Sequence, residues 1–132
     1  MEGPSPVRDG ERPALWVGHV ALATHDLLRS FAFYRDLGLR QMYEPDASAG
    51  IAELEMRGGT HLALVLDPGA TIEGRVAPFD LMADDLDALH ADMTRRGIDV
   101  SPIERGGHDT FTFRDPDGHV VTVLDSHVSG VV

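Results

Sequence analysis

The sequence repeats part of itself at a fixed offset of 59 residues, and this internal repeat constrains the fold more than any other feature. Leu22 corresponds to Leu81 and Gly59 corresponds to Gly118, with no gap between these two matches. The intervening matches are Asp26-Leu27 with Asp85-Leu86 and Gly38-Leu39 with Gly97-Ile98. Two copies of one small unit in a chain of 132 residues predict a pseudo-twofold architecture. In such a fold, equivalent strands lie opposite each other around a shared cavity, so the repeat indicates where a site should be sought.

Apolar spacing and turn residues predict the same order of elements, βαβββ, in both copies. The predicted strands are 14–23, 39–43, 51–56 and 61–66 in the first copy and 76–83, 98–103, 110–114 and 119–125 in the second. The predicted helices, 26–37 and 85–96, each start at an aspartate that can cap the helix and stop at a glycine. We therefore predict an α+β fold, in which two tandem βαβββ modules with pseudo-twofold symmetry form a curved mixed sheet around a cavity.

The same pattern divides the chain into segments. A segment rich in proline and charge (1–13) is predicted to be flexible, and residues 127–132 form a short tail. Between them lies a single domain (14–126), made of modules 14–66 and 76–125 and a linker, 67–75, that contains proline and glycine.

Composition limits the chemistry that is available. The chain has no cysteine, and its eleven basic residues are all arginine, so acid–base work falls to histidine, carboxylates, tyrosine or bound water. The formal net charge of -11 opposes nucleic-acid binding and favours cationic partners. No apolar run is long enough to cross a membrane, and the first twelve residues lack the apolar stretch of a secretory signal. We therefore expect a cytoplasmic protein that binds neither nucleic acid nor membranes.

Strand alternation predicts which side chains face the cavity. In the strand 61–66, Leu62, Leu64 and Leu66 share the face that packs on the helix, which turns His61 toward the cavity. The same alternation turns Glu55 inward. The ligand-binding residues predicted in this way are His19, Glu53, His61, Asp80, Met82, Thr110, Thr112 and Thr122. Among them, His19 and His61 are the candidates for a catalytic base, since the pKa of histidine suits that role near neutral pH.

Three segments make the chain resemble a known superfamily: residues 18–22 (GHVAL), 33–38 (FYRDLG) and 113–119 (FRDPDGH). Together with the repeat, they resemble the vicinal-oxygen-chelate superfamily, which includes glyoxalase I, extradiol dioxygenases, and fosfomycin- and bleomycin-resistance proteins. The resemblance covers residues 16–125 and implies paired βαβββ modules around a cavity. It also implies a divalent metal held by the first and fourth strands of each module, where the metal chelates substrate oxygens.

The residues at these four inherited metal positions are His19, Ala63, Pro78 and Thr122. Only the histidine is a good donor, and divalent ions in such sites need several imidazole or carboxylate ligands. We therefore expect no cofactor and no metal at the inherited positions. One alternative stays open: His19, His61 and either Asp80 or Glu53 could form a displaced site of two histidines and one carboxylate.

Two classes of function compete. The first is a metal-free binding protein that resembles bleomycin-resistance proteins and sequesters a bulky, cationic or polycyclic ligand in an acidic cavity, with Trp16 or Tyr43 stacking on it. The second is a metal-dependent lyase, isomerase or dioxygenase that uses the displaced ligands, or a metal-free enzyme with a histidine base. A purely structural role is disfavoured by the polar residues that face inward. The resemblance further implies a homodimer.

The remaining histidines receive weaker predictions. We expect His25, His90, His119 and His127 to face solvent. His108 and Asp109, which precede the strand 110–114, are weak candidates for residues that line the ligand site.

Overall fold

A computed structural model describes residue 3 and residues 5–132 of the chain. The first module contains β1 (His19–Thr24), α1 (Leu27–Leu37), β2 (Arg40–Gln41), β3 (Ile51–Glu55) and β4 (His61–Leu66). The second contains β5 (Val76–Ala83), α2 (Leu86–Arg95), β6 (Thr110–Arg114) and β7 (Val120–Asp125). In the described part of the chain, no helix is long and apolar enough to cross a bilayer.

The strands form one sheet in each module. The first sheet has the order β1-β4-β3-β2 and the second has the order β5-β7-β6, and in each the module's first and last strands are parallel neighbours. The repeat reappears in the strand register, because Leu22 pairs with Leu64 and Leu81 pairs with Val123. The predicted α+β class with two βαβββ-like modules is confirmed.

The helices begin and end as the repeat predicts. The Asp26 side chain accepts a hydrogen bond from the Arg29 N–H at the start of α1, and Asp85 does the same for Ala88 in α2. Gly38 follows α1 with a φ of 126°, a region that favours glycine, and its repeat partner Gly97 also has a positive φ.

The core lies between the sheets and the helices. From α1, Leu27, Phe31 and Tyr34 are buried, and α1 contacts β3 and β4. The facing strand residues that are buried are Ala52, Leu54, Leu62, Leu64, Phe111, Phe113, Val121 and Val123. Phe33 contacts Phe113 across the two modules, with ring centroids 6.0 Å apart. One continuous core therefore supports both concave faces, and the predicted packing faces of β3, β4, β6 and β7 are confirmed.

The prediction of a strand from residue 14 is wrong, since β1 begins at His19. Its partner β4 begins at His61. The pairing of the two strands starts where the His61 N–H donates to the Gly18 carbonyl, at 2.9 Å. In the described part of the chain, residues 14–17 thus have no neighbouring strand to pair with, and Leu15 and Trp16 are 89% and 69% exposed. The apolar residues 14–17, which predicted a strand, belong instead to an exposed segment without regular secondary structure.

The prediction of a strand over residues 98–103 is also wrong. This segment makes only isolated bridges, Val100 with Phe113 and, just beyond it, Glu104 with Thr110. Proline at position 102 has no N–H to donate, so a regular ladder cannot form there. The second sheet therefore has three strands where the first has four.

The turn of the FRDPDGH motif connects the second module to the first. The Asp117 carboxylate accepts hydrogen bonds from the Thr24 hydroxyl at 2.7 Å, the His25 N–H at 2.9 Å and the Arg29 guanidinium at 3.1 Å. The Tyr34 hydroxyl donates to Asp115 at 2.7 Å. These contacts fix the end of β1 and the start of α1 against a turn that lies some 90 residues later, so the turn acts as a clasp between modules.

The expectation that His119 faces solvent is wrong, because its side chain belongs to this clasp. It is buried, and its Nε2 lies 2.8 Å from the Ala23 carbonyl, to which it donates. Burial raises the pKa of Asp115, while hydrogen bonds from Tyr34 and the His119 N–H and the nearby His119 ring act in the opposite direction. Burial also raises the pKa of Tyr34, and the Asp115 carboxylate raises it further.

Candidate functional site

An open groove lies at the start of β1 and β4 in the first module. It has a volume of about 390 Å³ and is lined mostly by apolar surface. The lining residues are Ala14, Leu15, Trp16, Gly18, His19, Gly59 and His61. The extended segment before β1 forms one wall, and the first residues of β1 and β4 form the floor. A flat apolar molecule can therefore lie against Trp16 while its polar end reaches the two histidines.

The strand register brings three of the predicted side chains together at this floor. His19 and His61 are direct partners in the parallel β1–β4 pair, and their rings meet edge to face with centroids 5.6 Å apart. Glu53 lies on β3, the next strand, opposite Ala63. Its carboxylate oxygens lie 3.4 Å from His19 Nε2 and 3.6 Å from His61 Nδ1. One ligand atom from each of the three residues lies within 4.8 Å of the others.

A second carboxylate orients His61 from its other side. Glu55 is the partner of His61 in the antiparallel β3–β4 register, and its Oε2 lies 3.3 Å from His61 Nε2. Arg40, on β2, donates to the other oxygen of Glu55 at 2.7 Å. The resulting chain runs from Arg40 through Glu55 to His61, and it leaves Nδ1 of His61 facing Glu53.

The other predicted ligand-binding residues lie in the second sheet and do not join this group. Asp80 and Met82 are exposed on β5, and Asp80 is the register partner of Thr122. Thr110 and Thr112, on β6, are half-buried. Among the described residues, only His19, Glu53 and His61 come close enough together to share an ion. The structure thus brings Glu53, and not Asp80, to the two histidines.

The inherited metal positions do not fit a metal ion. Ala63 is buried and is the register partner of Ala21, so the second of these positions offers only a methyl group. Pro78 lies where the β5–β7 register is irregular, which is consistent with its missing N–H. Thr122 contributes a hydroxyl, a poor ligand for a divalent ion. Only His19 remains as a donor at the inherited positions.

The remaining candidates lie apart from the groove floor. The expectation that His90 faces solvent is wrong: it is half-buried, its Nε2 donates to the Ser101 carbonyl at 2.8 Å, and its ring meets Phe111 edge to face. His25 and His127 are exposed, as expected. His108 is exposed beside Asp125, at 3.3 Å, and its ring lies 5.0 Å from that of His127.

Sequence reasoning missed the role of Arg40 and treated Glu55 only as an inward-facing acid. The sequence contains part of the information, because an arginine and a glutamate that face each other across a strand pair stabilise a sheet. Recognising it required the β2–β3 register, which the sequence does not specify. Tyr43 was considered for stacking, yet its hydroxyl accepts the Glu53 N–H at 2.7 Å, which holds the ring beside β3.

Comparisons with known proteins identify the family. A family model described as the Glyoxalase/Bleomycin resistance protein/Dioxygenase superfamily matches residues 16–123. No protein with a curated description matches the chain. A solved structure of lactoylglutathione lyase from Agrobacterium tumefaciens is similar at 25% identity, with a TM-score of 0.70 over 92% of this chain and 100% of that one.

Two further solved structures show the same fold at lower identity. A bleomycin resistance determinant encoded on the transposon Tn5 is 22% identical, with a TM-score of 0.68 over 86% of this chain and 99% of that one. A superfamily member from Sphaerobacter thermophilus is 22% identical, with a TM-score of 0.72 over 85% of this chain and 98% of that one. The family match covers most of the chain and agrees with the paired modules, so this protein belongs to the glyoxalase/bleomycin resistance protein/dioxygenase superfamily.

Proposed function

We propose that this protein binds a bulky, flat organic molecule in the groove of the first module and retains it without transforming it. The observation that carries the proposal is the groove itself. An exposed Trp16 and other apolar side chains line it together with His19 and His61, and Glu53 contacts both histidines from the neighbouring strand. Similarity to a bleomycin resistance determinant supports a binding role, although at that identity it is similarity of fold alone.

We propose further that the ligand carries a cationic group, which Glu53 accepts. Among the residues that the structure describes, the Glu53 carboxylate faces histidines and no arginine, whereas Glu55 is already paired with Arg40. A charge-assisted hydrogen bond to Glu53 would add to stacking on Trp16. Binding of this kind requires no metal at the inherited positions, where only His19 offers a donor.

Calorimetric titration with a panel of flat aromatic cations and their neutral isosteres tests both parts of the proposal. We expect the cations to bind and the Trp16→Ala and Glu53→Gln variants to weaken them, while Asp80→Asn, a matched acid on the second sheet, leaves binding unchanged. Recovery of the bound compound and its mass spectrum check that it is unaltered. Absence of binding across the panel, or equal loss in the Asp80→Asn variant, would refute the proposed site.

A second candidate is a metal-dependent lyase, isomerase or dioxygenase that uses displaced ligands, and the grouping of His19, Glu53 and His61 favours it. Turnover of a dicarbonyl or catechol, abolished by Glu53→Gln, would select this candidate over retention. We also propose a homodimer in the cytoplasm. The exposed apolar side chains at residues 15–17 support association, and light scattering across protein concentrations measures it.

A further inference from the structure

We propose that His19, Glu53 and His61 form a site for one divalent transition-metal ion, displaced from the inherited positions of the superfamily. This inference goes beyond the proposed function, because ion binding requires no organic ligand. It rests on the spacing of the three side chains, on the carboxylate behind His61, and on the open side of the cluster.

The spacing matches ligands arranged around a common ion. Two ligand atoms about 2.1 Å from one ion lie roughly 3.0–3.4 Å apart at octahedral or tetrahedral angles. The observed separations are 3.4 Å from His19 Nε2 to one carboxylate oxygen of Glu53 and 3.6 Å from His61 Nδ1 to the other, and one donor atom from each of the three residues lies within 4.8 Å of the others. Small rotations of three partly exposed side chains are enough to bring the donors to one ion.

The hydrogen bond behind His61 sets which of its nitrogens is free. Glu55, itself held by Arg40, accepts a hydrogen bond from His61 when Nε2 carries the proton, and in that neutral tautomer Nδ1 has a lone pair. That lone pair faces the Glu53 carboxylate, which is also an acceptor. A cation between them relieves this contact. In protein metal sites, the ring nitrogen of a histidine ligand that does not bind the ion usually donates to a carboxylate or carbonyl, so Glu55 and Arg40 act here as positioning residues.

The donor set selects the class of ion. Two imidazoles and one carboxylate on one side, with the other side open to the groove, suit Fe²⁺, Co²⁺, Ni²⁺ or Zn²⁺ with exchangeable positions left for water or ligand. Mg²⁺ prefers oxygen donors and fits poorly. Because the ion uses the Glu53 carboxylate, an ion and a cationic ligand compete for this position.

The repeat provides an internal control. The positions in the second module that correspond to His19, Glu53 and His61 are Pro78, Thr112 and Val120, which offer one hydroxyl between them. The proposal therefore predicts one ion per chain. An exposed histidine–acid pair elsewhere, His108 with Asp125, tests whether binding is merely adventitious.

The experiment titrates Co²⁺ and Zn²⁺ separately into metal-free protein. Calorimetry measures the binding of each ion, visible absorption reports the coordination of Co²⁺, and elemental analysis after gel filtration counts the ions that stay bound. We expect one ion per chain and no binding of Mg²⁺. We expect Glu53→Gln and His61→Asn to weaken binding by more than 100-fold, and Glu55→Gln to weaken it by roughly 10- to 100-fold, as loss of an outer-shell partner does. The His108→Ala control should retain full affinity.

Far-UV circular dichroism and thermal unfolding establish that each variant is folded, and the isosteric Glu53→Gln keeps the test valid if His61→Asn does not fold. Undiminished binding by Glu53→Gln would overturn the proposal, as would loss of the ion in His108→Ala alone. No binding of either ion at millimolar concentration would also overturn it. Ion binding without binding of organic cations would refute the proposed function and leave this inference standing.

Discussion

Removing the Asp117 side chain should be among the most damaging single changes in this fold, because it opens the clasp between the modules. The side chain is fully buried, and its carboxylate accepts three hydrogen bonds, from Thr24, His25 and Arg29. In Asp117→Ala these donors lose their acceptor, and the Thr24 hydroxyl is itself buried. Leaving a buried donor without its acceptor costs about 1–3 kcal/mol, and because the Arg29 guanidinium is half-exposed and can turn to water, we expect a total of about 2–4 kcal/mol of unfolding free energy.

The Asp117→Asn variant separates the hydrogen bonds from the charge. The amide oxygen can still accept from His25 and Arg29, and the amide N–H₂ can donate to the Thr24 hydroxyl. In the wild type the single hydroxyl hydrogen of Thr24 is donated to Asp117 at 2.7 Å; in the variant it can turn to the Asp26 carbonyl, 3.0 Å away, so the hydroxyl remains satisfied. Only the charge is lost, and we expect a cost of about 1–2 kcal/mol.

Equilibrium unfolding in urea, monitored by far-UV circular dichroism, measures both values from the midpoint and slope. A matched control is Asp80→Asn, an exposed acid whose replacement should leave stability within about 0.5 kcal/mol. If Asp117→Ala cost less than about 1 kcal/mol, the clasp would not join the modules energetically. If the Asn and Ala variants were equally unstable, the ion pair with Arg29 would account for the effect and the reasoning from satisfied hydrogen bonds would be wrong.

Two further predictions concern the same turn. Gly118→Ala should destabilise the protein by about 2 kcal/mol or more, because a Cβ there meets Glu73, whose Cα would lie 3.0 Å away, in addition to the strain of a φ of 92°. Its repeat partner Gly59 has a similar φ of 96°, but a Cβ there would have no other atom within 4 Å. Gly59→Ala should therefore lower the free energy of unfolding by only about 1 kcal/mol. Equal losses for the two variants in denaturant unfolding would contradict this difference. Burial raises the pKa of Asp115 above its ordinary value of 3.8, so the folded protein keeps the proton to higher pH than the unfolded chain. The stabilising contribution of Asp115 to the free energy of unfolding is therefore complete below pH 3.8, the ordinary pKa of the group. It is lost as the pH rises through the higher pKa of the folded state. The free energy of unfolding of the wild type, measured relative to Asp115→Asn, should fall across that window, and a rise would contradict the stated direction.

Local chemistry determines the features that could be predicted from the sequence. The caps Asp26 and Asp85 and the positive-φ glycines Gly38 and Gly97 act within one helical turn, and the structure has all four where the repeat predicts them. The alternation of β4 fixes one packing face regardless of its neighbours, and Leu62 and Leu64 are buried accordingly.

Features that depend on a distant partner could not be predicted in the same way. Residues 14–18 have the composition of a strand, but a strand also needs a neighbour to pair with, and β4 begins too late in the register to provide one. The burial of His119 depends on docking against the end of β1, nearly a hundred residues earlier in the chain. In both cases the deciding contact lies outside any local window of sequence.

The candidate site shows the same division. The alternation of side chains along each strand predicts that His19, His61, Glu53 and Asp80 face the cavity. It does not predict which of the two acids contacts the histidines. Strand order decides it, because β3 lies next to β4 in the first sheet while Asp80 lies on β5 in the second. The orienting pair of Arg40 and Glu55 likewise required the β2–β3 register.

The inferred ion site lies in the first module, at His19, Glu53 and His61, and not at the corresponding positions of the second module. Heteronuclear NMR spectra of ¹⁵N-labelled protein, recorded while Co²⁺ is added, test this location most directly. We predict that the amide signals of residues 19, 53 and 61 shift or broaden first, while those of their repeat partners Thr112 and Val120 move least among the strand residues. Equal effects on both modules, or effects centred on His108 and His127, would contradict the claim.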